Sequence, residues 1–467
     1  MEDGMTDTGH DAVHEGHARA FAMALLAALA GLMFGLDTGV IAGALHFIAD
    51  TFEASSRTQE WIVSSMMAGA ALGSVAAGGI SYRYGRSGAM VGAAVMFLIG
   101  TLTCALAPGI AVMIVGRVML GLAVGVAAFA APLYISEITV GERRGSMISF
   151  YQLMVTLGIF LAFVSDSLLA PGAHWRWMLG VMAVPSSVFL IGALFLPHTP
   201  RWLMMRGQTG AARRVMLSLR GDARIADAEI REISVQLHNE SGSGFALFRR
   251  SANFRRSVAL GIVLQIFQQL TGINVLMYYA PRVFEAAHFG VSAAVWATTL
   301  VGLVNMGATG IAIVLVDRWG RRPLLMASCA IAAFAMVSVG ILLALGAGSV
   351  LQQAVLVGMV LLFVAGFAMG EGPLVWTLCS EIQPLQGRDF GIACSTFTNW
   401  AANWAVSNTF LSLLAGIGES ATFWLFGILN AVFIIVTFLF VPETKDVSLE
   451  KIEDNLMHGA PLRRLGR

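Results

Sequence analysis

The sequence predicts an all-α membrane protein of twelve transmembrane helices, arranged as two six-helix halves joined by a cytoplasmic helical loop. Three observations predict it: a 467-residue chain that is 57% hydrophobic and only 12% charged, a succession of apolar runs long enough to cross a bilayer, and short motifs that recur between the halves. A mean hydropathy of +0.75 means more apolar surface than a soluble core of this length can bury. The net charge is +1, so no basic field points to a nucleic-acid partner, and the information lies in where the charges fall.

A helix needs about 20 apolar residues to cross a hydrocarbon core of roughly 30 Å. Runs that qualify cover 20–48, 61–82, 88–108, 110–136, 146–170 and 176–197, then 255–286, 292–316, 324–347, 352–380, 389–416 and 420–441. Of the 29 Lys and Arg, Arg57, Arg176 and Arg282 lie on one side of these spans, Arg117 lies inside one, and the other 25 lie on the opposite side. The cation-rich side is expected to be cytoplasmic, placing both termini and the long central loop inside. Residues 1–19 then form an acidic, solvated cytoplasmic tail with no basic stretch ahead of an apolar one, unlike a cleavable signal. The first half covers 20–197, the linker 198–254, the second half 255–441 and the C-terminal tail 442–467. Within the linker, Ala211, Val215 and Leu219 alternate at helical spacing with Arg213, Arg214 and Arg220, which suggests short amphipathic helices under the membrane domain, with a solvated linker as the alternative.

The repeat is read from motifs. Tyr84-Gly85-Arg86 is echoed 235 positions later by Trp319-Gly320-Arg321, and Ser136-Glu137-Ile138 is echoed 244 positions later by Ser380-Glu381-Ile382. Arg144 matches Arg388 at 244, and Pro197 matches Pro442 at 245. Parallel repeats of this kind place a substrate site near the bilayer midplane between the halves, where rocking exposes it to each side in turn.

Taken together, Arg83-Tyr-Gly-Arg86, Glu137 with Arg144, Pro200-Arg201-Trp202, Asp317-Arg-Trp-Gly-Arg-Arg322, Glu381 with Arg388 and Pro442-Glu443-Thr444 resemble the signature set of the sugar porter family of the major facilitator superfamily. Gln268-Gln-Leu-Thr-Gly-Ile-Asn274 followed by Met277-Tyr-Tyr-Ala-Pro281 resembles its seventh-helix sugar motif. Ser380-Glu-Ile-Gln-Pro384, Gly387-Arg-Asp-Phe-Gly391 and Tyr151-Gln-Leu-Met-Val-Thr-Leu-Gly158 look like the bacterial galactose and arabinose/proton symporters. The likeness runs from about residue 20 to 460 and implies the major facilitator fold in a bacterial inner membrane.

An ionisable group inside a membrane span costs a few kcal/mol or more. Asp37, in Phe34-Gly-Leu-Asp-Thr-Gly39 at the middle of the first span, is the clearest case. Burial favours the protonated form of a carboxyl and a neighbouring cation favours the ionised form. Arg117, the one basic residue within a helix of the first half, is the expected partner. A carboxylate switchable between bare and protonated is what proton coupling requires, and a permanent ion pair fixing two helices is the alternative. The resemblance implies the first role, with Asp37 as the proton site and Arg117 its partner, because facilitators of the family generally carry a neutral residue at that position.

Sugar hydroxyls both donate and accept, so a sugar site is complemented by carboxamides plus an aromatic ring for the C–H face. Gln268, Gln269 and Asn274 lie on one helix, where a break at Gly272 could converge them. The second half adds Asn305, Trp376, Asn399 and Trp400, positions that the resemblance implies are sugar ligands, with Phe34 and Tyr279 in the matching motifs. The sequence departs from the family at two points: Ile159 stands where xylose-transporting relatives have a glutamine, and Glu371, in Met369-Gly-Glu-Gly-Pro373, stands where relatives carry a small or aromatic residue. Glu371 is expected near the cavity as a sugar acceptor, with a second proton carrier or a wetted bystander as alternatives.

Arg86, Glu137, Arg144, Arg201, Arg321, Glu381, Arg388 and Glu443 are expected to form a cytoplasmic gate whose ion pairs between halves latch the outward-facing state and break for inward opening. His198 takes the place that Glu443 has in the second half. Cys104, Cys329, Cys379 and Cys394 read as small core residues rather than metal ligands or a disulfide, and His10, His14 and His17 as solvated. No cofactor, metal or obligatory protein partner is implied, and no enzyme motif such as H-E-x-x-H is present. The function read from the sequence is alternating-access import of a neutral monosaccharide of galactose, arabinose or glucose type with a proton. A facilitator of the same fold, or a non-transporting sugar sensor, is the alternative.

Overall fold

A computed structural model describes residues 4–239 and 244–466, the side chains of 4–14, 17, 141–145, 238, 239, 313 and 317 aside. The first half comprises α1 (Gly4–Phe52), α2 (Ser56–Ala105), α3 (Ile110–Ile138), α4 (Gly141–Leu169), α5 (Trp175–Gly180) and α6 (Ala183–Leu194). No strand occurs among the described residues. In lipid there is little hydrophobic drive between helices, so close approach depends on small side chains. Gly31, Gly35, Gly39 and Gly43 recur every four residues on α1, and a Cβ at each would overlap α4 at Tyr151, Val155, Ala162 and Asp166 in turn. Gly158 on α4 returns the contact to Leu32 and Leu36. Gly121 and Gly125 bring α3 against the α2 backbone at Met66 and Ala70 in the same way. Ile159, one of the departures from the family, is buried in the α1–α4 seam against Gly35 and Gly39.

The linker folds as α7 (Pro200–Met205), α8 (Thr209–Arg220), α9 (Ala223–Asn239) and α10 (Gly244–Arg250). Trp202, Leu203, Ala212, Met216, Ala226 and Ile230 form a small core of their own. Arg220 anchors that core to the membrane domain by donating to the Ile138 carbonyl at 3.0 Å while pairing with Glu229 at 2.7 Å. The N-terminal tail is helical: α1 begins at Gly4 and continues unbroken into the first span. Gly16, lacking a side chain, lets this extension lie on the backbone of Leu219 to Gly221 at the end of α8. The side chains of His10, His14 and His17 fall outside the described residues.

The second half comprises α11 (Ala252–Leu270), α12 (Ile273–Ala286), α13 (Val291–Trp319), α14 (Arg321–Ala344), α15 (Val350–Met369), α16 (Glu371–Glu381), α17 (Arg388–Ser407), α18 (Phe410–Ile417) and α19 (Glu419–Phe440), followed by a surface helix, α20 (Leu449–Met457). Among the described residues ten helices are long and apolar enough to cross a membrane. Two reasons separate that number from twelve. One is that α2 runs through both the second and third spans, turning at Gly85 with φ 81° and ψ 165°. The other is that α17 carries Arg388, Asp389, Asn399 and Asn403 and is too polar to qualify. Gly320 makes the same turn between α13 and α14, φ 87° and ψ 165°, so the repeat read from the motifs is also a repeat of backbone conformation at a position that only glycine adopts easily.

The halves meet at the end away from the linker. There Arg57 donates to the Asn408 carbonyl at 2.7 Å, Ser64 to the Asn408 side chain at 3.1 Å, and Arg282 to Gln59 at 3.1 Å. Near mid-height the Phe34 and Trp400 rings meet edge-on, 5.5 Å between centroids. All four cysteines are free, and only Cys394 is not buried.

Candidate functional site

In the first half, Arg117 Nη1 donates to Asp37 Oδ1 at 2.6 Å, and both side chains are fully buried. Arg117 Nε donates to the Ile62 carbonyl at 3.3 Å, which fixes the guanidinium on α2. Asp37 Oδ2 and Arg117 Nη2 have no hydrogen-bond partner. The pair is therefore held by one bond rather than the bidentate fork that arginine favours, and one carboxylate oxygen is left to accept a proton. Tyr278 of α12 reaches Thr38, next to Asp37, and Asn403 of α17, so the pair borders the junction of the halves.

The second half supplies a chain of carboxamides. Helix α11 ends where Gly272 adopts φ 93°, and the turn lets Asn274 Nδ2 donate to Gln269 Oε1 at 2.5 Å. Gln269 Nε2 donates to Gln268 Oε1 at 3.4 Å, and Asn399 Nδ2 reaches Gln268 Oε1 at 2.9 Å and Gln265 Oε1 at 2.6 Å. Gln268 Nε2 donates to the carbonyls of Glu371 and Gly372, at 2.9 and 3.1 Å. Four of the expected ligands, Gln268, Gln269, Asn274 and Asn399, are thus joined in one network, with Trp400 beside it against Phe34. Asn305 on α13 is buried and its side-chain amide makes no hydrogen bond among the described residues. Trp376 on α16 stays 40% exposed, an uncovered ring.

Two expected ligands are placed differently. Tyr279 is buried, and its hydroxyl donates to the Ser407 carbonyl at 3.1 Å, tying α12 to the end of α17 rather than facing an open site. Glu371 is corrected from cavity-lining acceptor to buried group: its side chain is fully enclosed beside Ser328 and Cys329 of α14, because the backbone turn at Gly370 directs it away from the carboxamides. Neither of its carboxyl oxygens has a hydrogen-bond partner.

At the linker end, the two arginine–carboxylate pairs described lie within the halves. Arg86 pairs with Glu137 at 2.9 Å inside the first half, and Arg321 with Glu381 at 3.2 Å inside the second. Glu443 caps α14, accepting from the backbone amides of Arg321 and Arg322 at 3.0 and 3.1 Å, and Arg201 donates to Gln236 of the linker at 3.4 Å. Arg388 makes no ion pair among the described residues and its Nε has no partner. The Arg144 side chain lies outside the described residues. Arg86 and Arg321, at matching places in the repeat, thus each hold a carboxylate of their own half.

Three residues escaped the sequence reading. Gln265 precedes Gln268 and Gln269 by three and four positions, a helical spacing that could have revealed it. Asp166, fully buried, accepts from the Gly43 amide at 3.1 Å; its place between Ser165 and Ser167 near a span end disguised it as an interface residue. Glu60, one residue outside an expected span, has a fully buried side chain and accepts from the Ser412 amide and hydroxyl at 2.6 and 2.8 Å, across the halves.

A family model described as sugar (and other) transporter matches residues 23–456. The galactose-proton symporter of Escherichia coli strain K12 is 52% identical over 450 residues, covering 96% of this chain and 97% of that protein. The arabinose-proton symporter of the same strain is 48% identical over 448 residues, 95% of each chain. Among solved structures, the inward open conformation of the xylose transporter XylE from E. coli superposes with a TM-score of 0.81 at 28% identity, covering 94% of this chain and all of that one. The proton:xylose symporter XylE bound to 6-bromo-6-deoxy-D-glucose gives 0.77 at 29% identity, covering 96% and 98%.

Proposed function

The chain belongs to the sugar (and other) transporter family, and on that premise we propose that it imports a neutral monosaccharide together with a proton by alternating access. The observation that carries the reading is the buried Asp37–Arg117 pair, a switchable carboxylate in one half, set close to a carboxamide network in the other. A multi-pass membrane protein with this arrangement needs only the rocking of its halves to expose both sites together to one side and then the other. The relatives carry galactose or arabinose by name, and the network suits either, since amides donate to and accept from any hydroxyl array. We take the membrane to be the bacterial inner membrane, with linker and termini on the cytoplasmic side where the cations lie. The conformation, joined by hydrogen bonds away from the linker and with Arg86 and Arg321 each paired inside its own half, is then read as the inward-facing one.

Energetically, each proton entering is worth about 2.3 kcal/mol per 100 mV of potential. That is enough to sustain uphill uptake. The facilitator alternative has no use for a buried carboxylate, which is costly to keep without a coupled ion.

The test is reconstitution into proteoliposomes with an imposed proton gradient, following labelled galactose and arabinose. Accumulation above equilibrium that collapses with a protonophore supports the reading; equilibration without accumulation would make the protein a facilitator.

A further inference from the structure

Glu371 has no place in the transport cycle just described, yet it is the most demanding side chain in the second half. It is fully buried, neither carboxyl oxygen has a hydrogen-bond partner, and it occupies the first position of α16, immediately after the break at Gly370. The polar groups around it are committed elsewhere: the Ser328 hydroxyl donates to the Gly366 carbonyl at 2.7 Å and accepts from the Glu371 amide at 3.0 Å. Both that hydroxyl and the Cys329 thiol, a weak donor, lie against the carboxyl. Helix α14 itself carries Arg321 and Arg322 in its first turn, two turns from Ser328, where they reach Glu381 and the Phe438 carbonyl; of the other helices packed on α16, α15 has no titratable residue. Helix α17 carries Arg388, Asp389 and Cys394 in its first two turns, beside the far end of α16, and α11 has Arg255 and Arg256 in its first turns, remote from Gln268. Cys379 and Glu381 lie two turns or more along α16 itself. No cation among the described residues therefore meets the carboxyl. An ionised carboxylate enclosed with only such a weak donor and no counter-charge is disfavoured, so this packing favours the neutral acid.

The same turn of backbone touches the sugar network. The carbonyls of Glu371 and Gly372 hold Gln268 Nε2, while Gln268 Oε1 is occupied by Asn399 and Gln269. With both ends of its amide engaged, Gln268 has nothing spare for a sugar hydroxyl. Freeing it requires α16 to move, and the seat of α16 on α14 is the surface where Glu371 is buried.

Resting on the sugar–proton reading above, we propose that Glu371 is a second protonation site, whose charge state sets, through the seat of α16, whether Gln268 is held by the backbone or is free to bind sugar. The neutral acid seats α16 and retains Gln268, giving the low-affinity form. Loss of the proton to water in the opening beside the linker makes the buried seat untenable; α16 shifts, the carboxylate becomes hydrated and Gln268 is released. No other bond is made or broken. In the conformation described here, which is the one that must discharge sugar, the neutral form is the releasing form. Glu371 is thus a positioning residue acting through Gln268.

The experiment measures equilibrium binding of labelled D-galactose, with L-arabinose in parallel, to the purified full-length protein in lipid nanodiscs from about pH 6 to about pH 9, a range wide enough to display linked protonation. Two variants are compared: Asp37→Asn, which silences the first proton site, and Asp37→Asn combined with Glu371→Gln. The single variant is expected to bind several-fold more tightly at the alkaline end. The double variant, a near-isosteric change, is expected to hold the acid-end affinity of the single variant at every pH, agreement at acid pH also showing that its fold is intact. A flat profile for the single variant overturns the proposal, and so does a slope that persists in the double variant. The symport reading fails by a different measurement, absence of gradient-driven accumulation by the unmodified protein in vesicles.

Discussion

His198 Nδ1 lies 2.9 Å from the hydroxyl of Ser87, just past the Gly85 turn, where the second half instead sets the carboxylate of Glu443 on the first amides of α14. The two halves thus close the same turn with different chemistry. A carboxylate at a helix start is favoured by the exposed amides and the helix dipole, whereas a histidine there serves only while neutral. Burial beside the Trp202 ring, 4.3 Å between centroids, strips water from the imidazole and holds the His198 pKa below its ordinary value of 6.5.

The sign of the pH effect follows. A histidine whose folded-state pKa is depressed contributes stability that is present above the unfolded value and is lost as pH falls through the window beneath it. Acidification below about pH 6.5 should therefore lower the melting temperature of the purified protein. His198→Glu should remove that component and support the turn as Glu443 does, by about 0.3–1 kcal/mol. Identical acid-side melting of the wild type and His198→Gln would show that the imidazole does not report on pH here.

The Asp37–Arg117 pair predicts separable defects. Asp37→Asn should abolish accumulation against a gradient while sugar exchange at equal concentrations persists, because the carboxamide network in the other half is untouched. Arg117→Ala leaves the carboxyl without its counter-charge and should displace the pH profile of uptake. Uphill transport by Asp37→Asn, or an unaltered profile for Arg117→Ala, would separate these residues from coupling.

The network predicts graded binding losses. Gln269 is itself an expected ligand within the network, so Gln269→Ala leaves the sugar hydroxyl it would meet without a partner and should weaken sugar binding by about 1–3 kcal/mol. Trp376→Phe, which preserves an apolar face on an exposed ring, should cost less than Trp376→Ala. Isothermal titration with galactose and arabinose ranks them, and wild-type affinity throughout would move the site elsewhere.

How far the sequence disclosed all this depended on the kind of signal. Long-range order was legible because lipid enforces it: apolar runs must be helices, and the Gly85 and Gly320 motifs repeat because only glycine makes that turn at low cost. The Asp37 and Arg117 partnership was legible because charges within spans are rare enough to find each other by elimination. Side-chain direction was not. Whether Glu371 faces the carboxamides or α14 depends on the backbone angles at Gly370, φ −134° and ψ −71°, and nothing in Met369-Gly-Glu-Gly-Pro373 encodes that choice. The partners of the linker-end arginines were not legible for a related reason: pairing between or within halves is a property of the conformation, and the sequence serves both.

The far end of the molecule yields the last prediction. Glu60 on α2 has a fully buried side chain and accepts from the Ser412 amide and hydroxyl, while Arg57, its ion-pair partner at 3.0 Å, also donates to the Asn408 carbonyl. These bonds join the two halves and exist only while this end is closed, so they favour the conformation described here over its opposite. Hydrogen bonds to a charged group contribute about 1.5–3 kcal/mol, enough to shift a two-state equilibrium by roughly tenfold or more per bond lost. Glu60→Ala should therefore open the end away from the linker. Glu60→Gln, keeping an acceptor but no charge, should do so less. A cysteine placed on α18 near Ser412 in a background with the native cysteines replaced would report the change as faster labelling by a membrane-impermeant thiol reagent applied to that face. Sugar transport should slow in Glu60→Ala, because each cycle must return through the conformation that the mutation disfavours, while binding at the carboxamides is retained. Labelling rates equal to those of the parent would mean that the closure rests on the apolar contacts of Trp61 with Trp404 and not on Glu60.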